Sequence, residues 1–186
     1  MSRIKVIEYR EADGRLKEIY DDLIGHRGKL ARVHQIQSLH PESIVKHMDL
    51  YMEIMYSRSP LSRADREMIG VVVSIANGCK YCQKHHAQAL NHYWKSDEKI
   101  RLLIQDHSGA YLSNREKKIC DFAMHLSLYP QLHDDKDYTN ILRDAGLTDH
   151  AILDVTLVVA YFNFVNRIVL ALDVELEVDE GEGYNY

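Results

Sequence analysis

The chain has 186 residues, 46% of them hydrophobic, with a formal net charge of −5, three cysteines and three prolines. That length fits one domain and buries roughly 70% of the unfolded surface, so a real core forms without a disulfide framework. The acidic balance leaves no basic field for nucleic acid; the start, Met1 to Val6, has no signal-peptide apolar region, and no apolar run approaches membrane-spanning length.

A soluble cytoplasmic protein is therefore expected, with no nucleic-acid or membrane partner, and helical periodicity runs along it. From Ala12 to Ile24, the residues Leu16, Ile19, Tyr20 and Leu23 fall at i, i+3, i+4 and i+7 and predict one amphipathic helix. Leu30 to Leu39 predicts a short helix ending before Pro41. Glu42 to Tyr56 carries a stripe of Ile44, Met48, Tyr51, Met52 and Met55, stopped by Ser57-Arg58-Ser59-Pro60. Ser62-Arg63-Ala64-Asp65 has the form of a capping box, with Asp for the usual Glu or Gln, and opens a helix that holds Glu67 and the apolar run Met68 to Ala76. Asn77-Gly78 tolerates a left-handed helix end and predicts a corner into the helix of Cys79 and Cys82. Ser113-Asn114-Arg115-Glu116 is a full capping box before a helix from Glu116 to Leu128, which stops at Pro130. Asp135 to Ala145 predicts a helix ended by Gly146, and Thr148 caps a last long helix to about Leu172.

No segment alternates as a strand does, so the fold reads as all-α: a single domain over residues 1–172, its CxxC core about 61–95, and an acidic tail at 173–186. That tail, with Glu175, Glu177, Asp179, Glu180 and Glu182, reads as solvated and outside the chemistry. An arm laid over a neighbouring subunit is the alternative. A weak repeat sets Leu61-Ser62, Val72-Val73 and Asn77 against Leu147-Thr148, Val158-Val159 and Asn163. The second copy has Val165 and Ile168 in place of the two cysteines, and chance accounts for two capped apolar helices at matched spacing.

The chemistry concentrates in Cys79-Lys80-Tyr81-Cys82-Gln83-Lys84-His85-His86. On a helix Cys82 and His86 are i, i+4 neighbours, and Cys79 lies one turn before Cys82, within reach of a local disulfide. In the first helical turn, unsatisfied N–H groups and the dipole favour the thiolate, and Lys80 and Lys84 add positive charge. If the chain reverses at Asn77, counting outward puts Glu67 level with Ala87, beside His86. The octapeptide thus predicts a carboxylate that reaches an imidazole and an imidazole that reaches a thiol. Three cysteines with two in one CxxC point to a reducing compartment and to redox or metal chemistry.

The pattern Glu67, eleven residues, Cys79-x-x-Cys82, three residues, His86 resembles the alkyl hydroperoxidase D-like (AhpD-like) branch of the carboxymuconolactone decarboxylase superfamily. The resemblance extends from about Leu39 to Glu177; Pro60-Leu61-Ser62-Arg63 and Tyr161-Phe162-Asn163-Phe164-Val165-Asn166-Arg167 look like its peroxidase-related members. It implies an all-helical AhpD-like bundle, a homotrimer or homohexamer, and peroxide reduction without a cofactor. It also implies that Cys82 is the peroxidatic thiol, Cys79 the resolving thiol, and His86 with Glu67 the proton relay. The partners it implies are a hydroperoxide and a dithiol reductant, such as a dihydrolipoyl or thioredoxin-like protein. The best-known branch has His immediately before the second cysteine, where this chain has Tyr81.

Other readings stand beside this one. A dithiol adaptor or disulfide reductase would use the same pair without peroxide. A metal site would take the CxxC with His86 and either His85 or Glu67, although structural zinc recruits further thiolates and a second ligand pair. A decarboxylase on this scaffold is disfavoured, because the resemblance implies that such members lack the cysteine pair. Cys120 reads as a buried hydrophobe, and His85 as a solvated neighbour. His92, His107, His125, His133 and His150 have no partner spacing. Asn166 and Arg167 read as packing or subunit contacts.

Overall fold

Four helices of the chain begin on a hydroxyl that replaces a missing backbone partner, and these caps set the frame of the computed structural model, which describes residues 2–177. Ten α-helices, one 3-10 turn (His107–Gly109) and no strand occur among the described residues: α1 (Gly14–Arg27), α2 (Arg32–Gln35), α3 (Pro41–Tyr56), α4 (Arg63–Ala76), α5 (Lys80–Trp94), α6 (Asp97–Gln105), α7 (Asn114–Leu128), α8 (Leu132–Asp135), α9 (Asn140–Asp144) and α10 (Asp149–Leu172). Ser62, Ser96, Ser113 and Thr148 each accept from the N–H three residues on. Asp65 completes the Ser62 box as Glu would, and it also accepts from Arg115 Nη1 at 3.0 Å, which ties the start of α4 to α7.

α4 is the axis of the molecule. Every residue from Asp65 to Ser74 is buried, with α5, α7 and α10 packed around it. Its large aliphatic side chains each contribute about 1.5–3 kcal/mol on burial, so packing fixes its position and whatever it carries. α1 lays Leu16, Ile19, Tyr20 and Leu23 with Ile44 of α3 into a smaller cluster. α10 is apolar and long enough, by length and composition, to cross a bilayer, contrary to the expectation from sequence. Here it is a core helix, with Val155, Val158, Val159, Phe162, Val165 and Val169 buried. The two halves of the sequence repeat meet: Asn77 Nδ2 donates to Asn163 Oδ1 at 3.0 Å.

Four segments depart from the sequence reading. Between Leu30 and Leu39 only Arg32–Gln35 is α-helix. The single helix expected over 135–145 is split into the end of α8 and a separate α9, because Asp137 accepts from the Thr139 N–H at 2.9 Å and offers the backbone a turn instead of a helix. α6 has no counterpart in the sequence reading. In the described part of the acidic tail Asp173 and Glu175 are exposed as expected, but Val174 and Glu177 are buried; Asp179, Glu180 and Glu182 lie outside the described residues.

Candidate active site

The corner between α4 and α5 builds the site. Gly78 takes φ +68°, a conformation that costs glycine little. The Cys79 N–H donates to Ser74 O at 2.8 Å and the Gly78 N–H to Ile75 O at 3.0 Å, so α5 folds back along α4. Asn77 Nδ2 also reaches Asn166 Oδ1 at 3.0 Å, which pins the corner to α10.

Folding back brings His86 to Glu67, as the count from Asn77 requires. His86 Nδ1 lies 2.6 Å from Glu67 Oε2. The carboxylate accepts, so Nδ1 carries the proton and Nε2 of the neutral ring is left as the basic atom. Glu67 is 0% exposed, and a carboxylate buried this deeply needs a countercharge. Arg63 supplies it: its Nη2 stands 2.7 Å from Glu67 Oε1, an ion pair without hydrogen-bond alignment. Arg63 also donates to the Met55 carbonyl and lies 3.5 Å over the Tyr56 ring. On the other side of His86 the Phe162 ring packs edge-on, with centroids 4.4 Å apart. Gly70 makes this approach possible, since a Cβ there would lie 2.9 Å from Phe162 and 3.3 Å from His86 Cγ.

The two thiols sit as the octapeptide requires, Cys79 at the N-cap and Cys82 in the first turn of α5. Their sulfurs are 2.9 Å apart and share a hydrogen bond. That bond pulls the pair in opposite directions. Cys79 is lowered by Cys82 and, to a lesser extent, by the N–H groups of Cys82 and Tyr81, against its own burial. Cys82 is raised well above the ordinary thiol value by Cys79 and by burial, with Asn166 opposing. Of the two thiols Cys79 is therefore the one pulled down and Cys82 the one pushed up, the reverse of what the helix N-terminus alone suggests. Access runs the other way. Cys82 lines a cavity of about 90 Å³ together with His86, Tyr81, Tyr161 and Phe162, whereas Cys79, 0% exposed, is not part of that wall. Among the described residues no direct hydrogen bond joins His86 to Cys82, so the second link of the expected relay is a shared cavity wall rather than a contact.

Other residues of the wall escaped the sequence reading. His47 Nε2 is 2.8 Å from Tyr161 Oη, and Gln37 Nε2 donates to His47 Nδ1 at 2.8 Å. Burial lowers His47 to about 4; burial and the neighbouring His47 lower His34 to about 3, so both rings are neutral near pH 7. The only available signal was a polar residue, His47, beside the apolar stripe of α3. Behind the wall, Asn166, read as a packing or subunit contact, is 0% exposed; its Nδ2 donates to Ser74 Oγ at 3.3 Å and its Oδ1 accepts from Asn77. His85, read as solvated, bonds to Glu177 Oε2 at 2.9 Å. Tyr81 donates to Glu177 Oε1 at 2.7 Å, and the Arg32 N–H donates to the same oxygen at 3.0 Å. Burial works to raise the Glu177 carboxyl, but these bonds outweigh it and hold it at about 2. The acidic tail thus reaches the residue before Cys82.

Cys120 is a core residue whose thiol is pushed up by burial. Among the described residues no three His, Cys, Asp or Glu side chains converge as a metal site would require.

Residues 45–123 match the model of the carboxymuconolactone decarboxylase family. An uncharacterized protein of Bacillus subtilis (strain 168), YdfG, is 26% identical over 132 residues, 71% of this chain and 88% of YdfG. The fold is that of an alkylhydroperoxidase AhpD core, an uncharacterized peroxidase-related protein from Ralstonia eutropha JMP134, with TM-score 0.85 and 22% identity over 97% of this chain and 94% of that one. It is also similar to the debrominase Bmp8, solved as a cysteine-to-alanine variant with 2,3,4-tribromopyrrole, at TM-score 0.79 and 19% identity over 96% and 95% of the two chains.

Proposed function

We propose that this chain, which matches the carboxymuconolactone decarboxylase family over residues 45–123 and has the fold of an AhpD core, is a cytoplasmic thiol peroxidase of the antioxidant type. One observation carries the reading: a thiol that opens on a small cavity has a second thiol 2.9 Å behind it and an imidazole beside it, held by a buried carboxylate.

In this reading His86 Nε2 takes one proton from the dithiol, and Glu67 balances the imidazolium. As a hydroperoxide arrives, the Cys82 proton crosses to Cys79 and the Cys82 thiolate attacks the terminal peroxide oxygen. An S–O bond forms and the O–O bond breaks. The alkoxide takes the His86 proton and leaves as the alcohol, and Cys82 is now a sulfenic acid. Cys79 then attacks that sulfur, its proton leaves with the hydroxyl as water, and the disulfide closes. An external dithiol returns the two electrons through Cys82, the sulfur on the cavity wall, with Cys79 as the leaving thiolate. The lowering of its thiol pKa by Cys82 suits it to leave.

The exposed apolar residues of α10, Leu153, Leu157, Phe164 and Leu170, support a homotrimer or homohexamer. Stopped-flow consumption of the reduced thiols by cumene hydroperoxide, compared with a small disulfide, tests the reading. Rapid reaction with the peroxide is expected. Reaction with the disulfide alone would replace the peroxidase by a disulfide reductase.

A further inference from the structure

Among the described residues the cavity in front of Cys82 is lined by two cations, Arg27 and Lys29, and by no carboxylate. That is unusual in a chain with a net charge of −5. Glu67 and Glu177 approach the wall from behind, but their oxygens are engaged with Arg63, His86, Tyr81 and His85.

Arg27 is the sharper of the two cations. It ends α1 and is about half-buried, and its partners are phenols rather than an acid. Nη1 donates to Tyr56 Oη at 3.0 Å, and the guanidinium lies 5.4 Å from the Tyr51 ring centroid and 5.6 Å from that of Tyr56. No carboxylate pairs with Arg27 among the described residues. Arg63, the next arginine against the same tyrosines, is neutralised by Glu67. His34 and His47 nearby are neutral, so Arg27 remains a fixed charge on a wall that is otherwise largely apolar and aromatic. A guanidinium offers a planar fork of donors that matches a carboxylate, and its desolvated position makes such a bond worth more than one in water.

We propose that Arg27 is a specificity-determining residue that anchors a carboxylate, and that the physiological oxidant is an organic hydroperoxide carrying a carboxylate on an apolar body. This rests on the peroxidase reading. The substrate then has two fixed ends, its anion on Arg27 and its peroxide at Cys82, with the apolar body along Phe162 and Val165.

The test compares the para-carboxylate of cumene hydroperoxide with its methyl ester, which differ in charge but share a body. For the parent, kcat/KM for the acid should exceed that for the ester about tenfold or more, the scale of a hydrogen bond to a charged group. Arg27→Gln should collapse this ratio through KM for the acid, and Arg27→Lys should keep part of it. A parent ratio near one, or a ratio unchanged in Arg27→Gln, overturns the proposal. A second measurement needs no peroxide chemistry: 4-isopropylbenzoate should protect Cys82 from iodoacetamide in the parent but not in Arg27→Gln, and its methyl ester should protect neither. If neither hydroperoxide consumes thiols, the peroxidase reading fails. Protection alone then decides whether the anion site exists, and equal protection by acid and ester rejects it.

Discussion

Glu177→Gln removes a carboxylate that the sequence alone places in a solvated tail. The parent carboxylate accepts from Tyr81, His85 and the Arg32 N–H at 2.7–3.0 Å and is 8% exposed. Those bonds hold its pKa at about 2 against an ordinary 4.5. By linkage the difference is worth on the order of 3 kcal/mol. Because the folded pKa is depressed, this stability is fully present above about pH 4.5 and is lost as the pH falls through about 2. The variant has no such term. Urea unfolding followed by circular dichroism, at fixed protein concentration, should show Glu177→Gln less stable by about 3 kcal/mol near pH 7, or about 6–12 °C in Tm. The gap should shrink steadily as the pH approaches 2. A gap of constant size across that range, or no gap near neutrality, would refute the claim that the charged form of Glu177 clamps the Tyr81 turn.

Further outcomes follow from the relay and the packing around it. Glu67→Gln and His86→Ala should move the iodoacetamide alkylation profile of the thiols to higher pH and slow peroxide attack near pH 7 about 10²–10⁴-fold, with much of the rate restored in alkali; profiles that coincide with the parent would return Glu67 to an ordinary helix carboxylate. Gly70→Ala puts a Cβ 2.9 Å from the Phe162 ring and 3.3 Å from His86 Cγ, so it should cost about 1–3 kcal/mol in thermal melts and slow attack; parent-like stability and rate would contradict the packing described. Light scattering should give three or six times the 21.6 kDa chain mass, and a chain that stays at one mass across micromolar concentrations would reject the oligomer.

What was legible in the sequence is what depends on short distances along the chain. The helix stripes, the two capping boxes and the Asn77-Gly78 corner are local, and Glu67 meets His86 because two regular helices joined by a tight corner must bring those positions level. Cys82 and His86 needed only the period of one helix. The rest of the wall needed tertiary packing. His47 of α3 meets Tyr161 of α10, 114 residues on, and Tyr81 meets Glu177 across 96 residues; no spacing rule joins them. α6 was signalled by Ser96 with Asp97 and Glu98 in its first turn, but its apolar face, Ile100 and Leu103, is too short to stand out. The acidic tail misled because composition averages over it, whereas Glu177 is buried by three specific donors. The charge order of the thiols was hidden as well, since helix position alone cannot show which of two sulfurs 2.9 Å apart gives up its proton.

The division of labour between those sulfurs is the centre of the account. Reduced Cys79→Ser and Cys82→Ser should each be mixed with one equivalent of cumene hydroperoxide, and both the peroxide consumed and the sulfenic acid formed should be measured by mass spectrometry after dimedone trapping. Cys79→Ser should consume about one equivalent and stall as a sulfenic acid on Cys82, because attack survives and resolution does not. Cys82→Ser should consume none, since Cys79 is not part of the cavity wall. A sulfenic acid on Cys79, or the loss of the first turnover in both variants, would contradict the account.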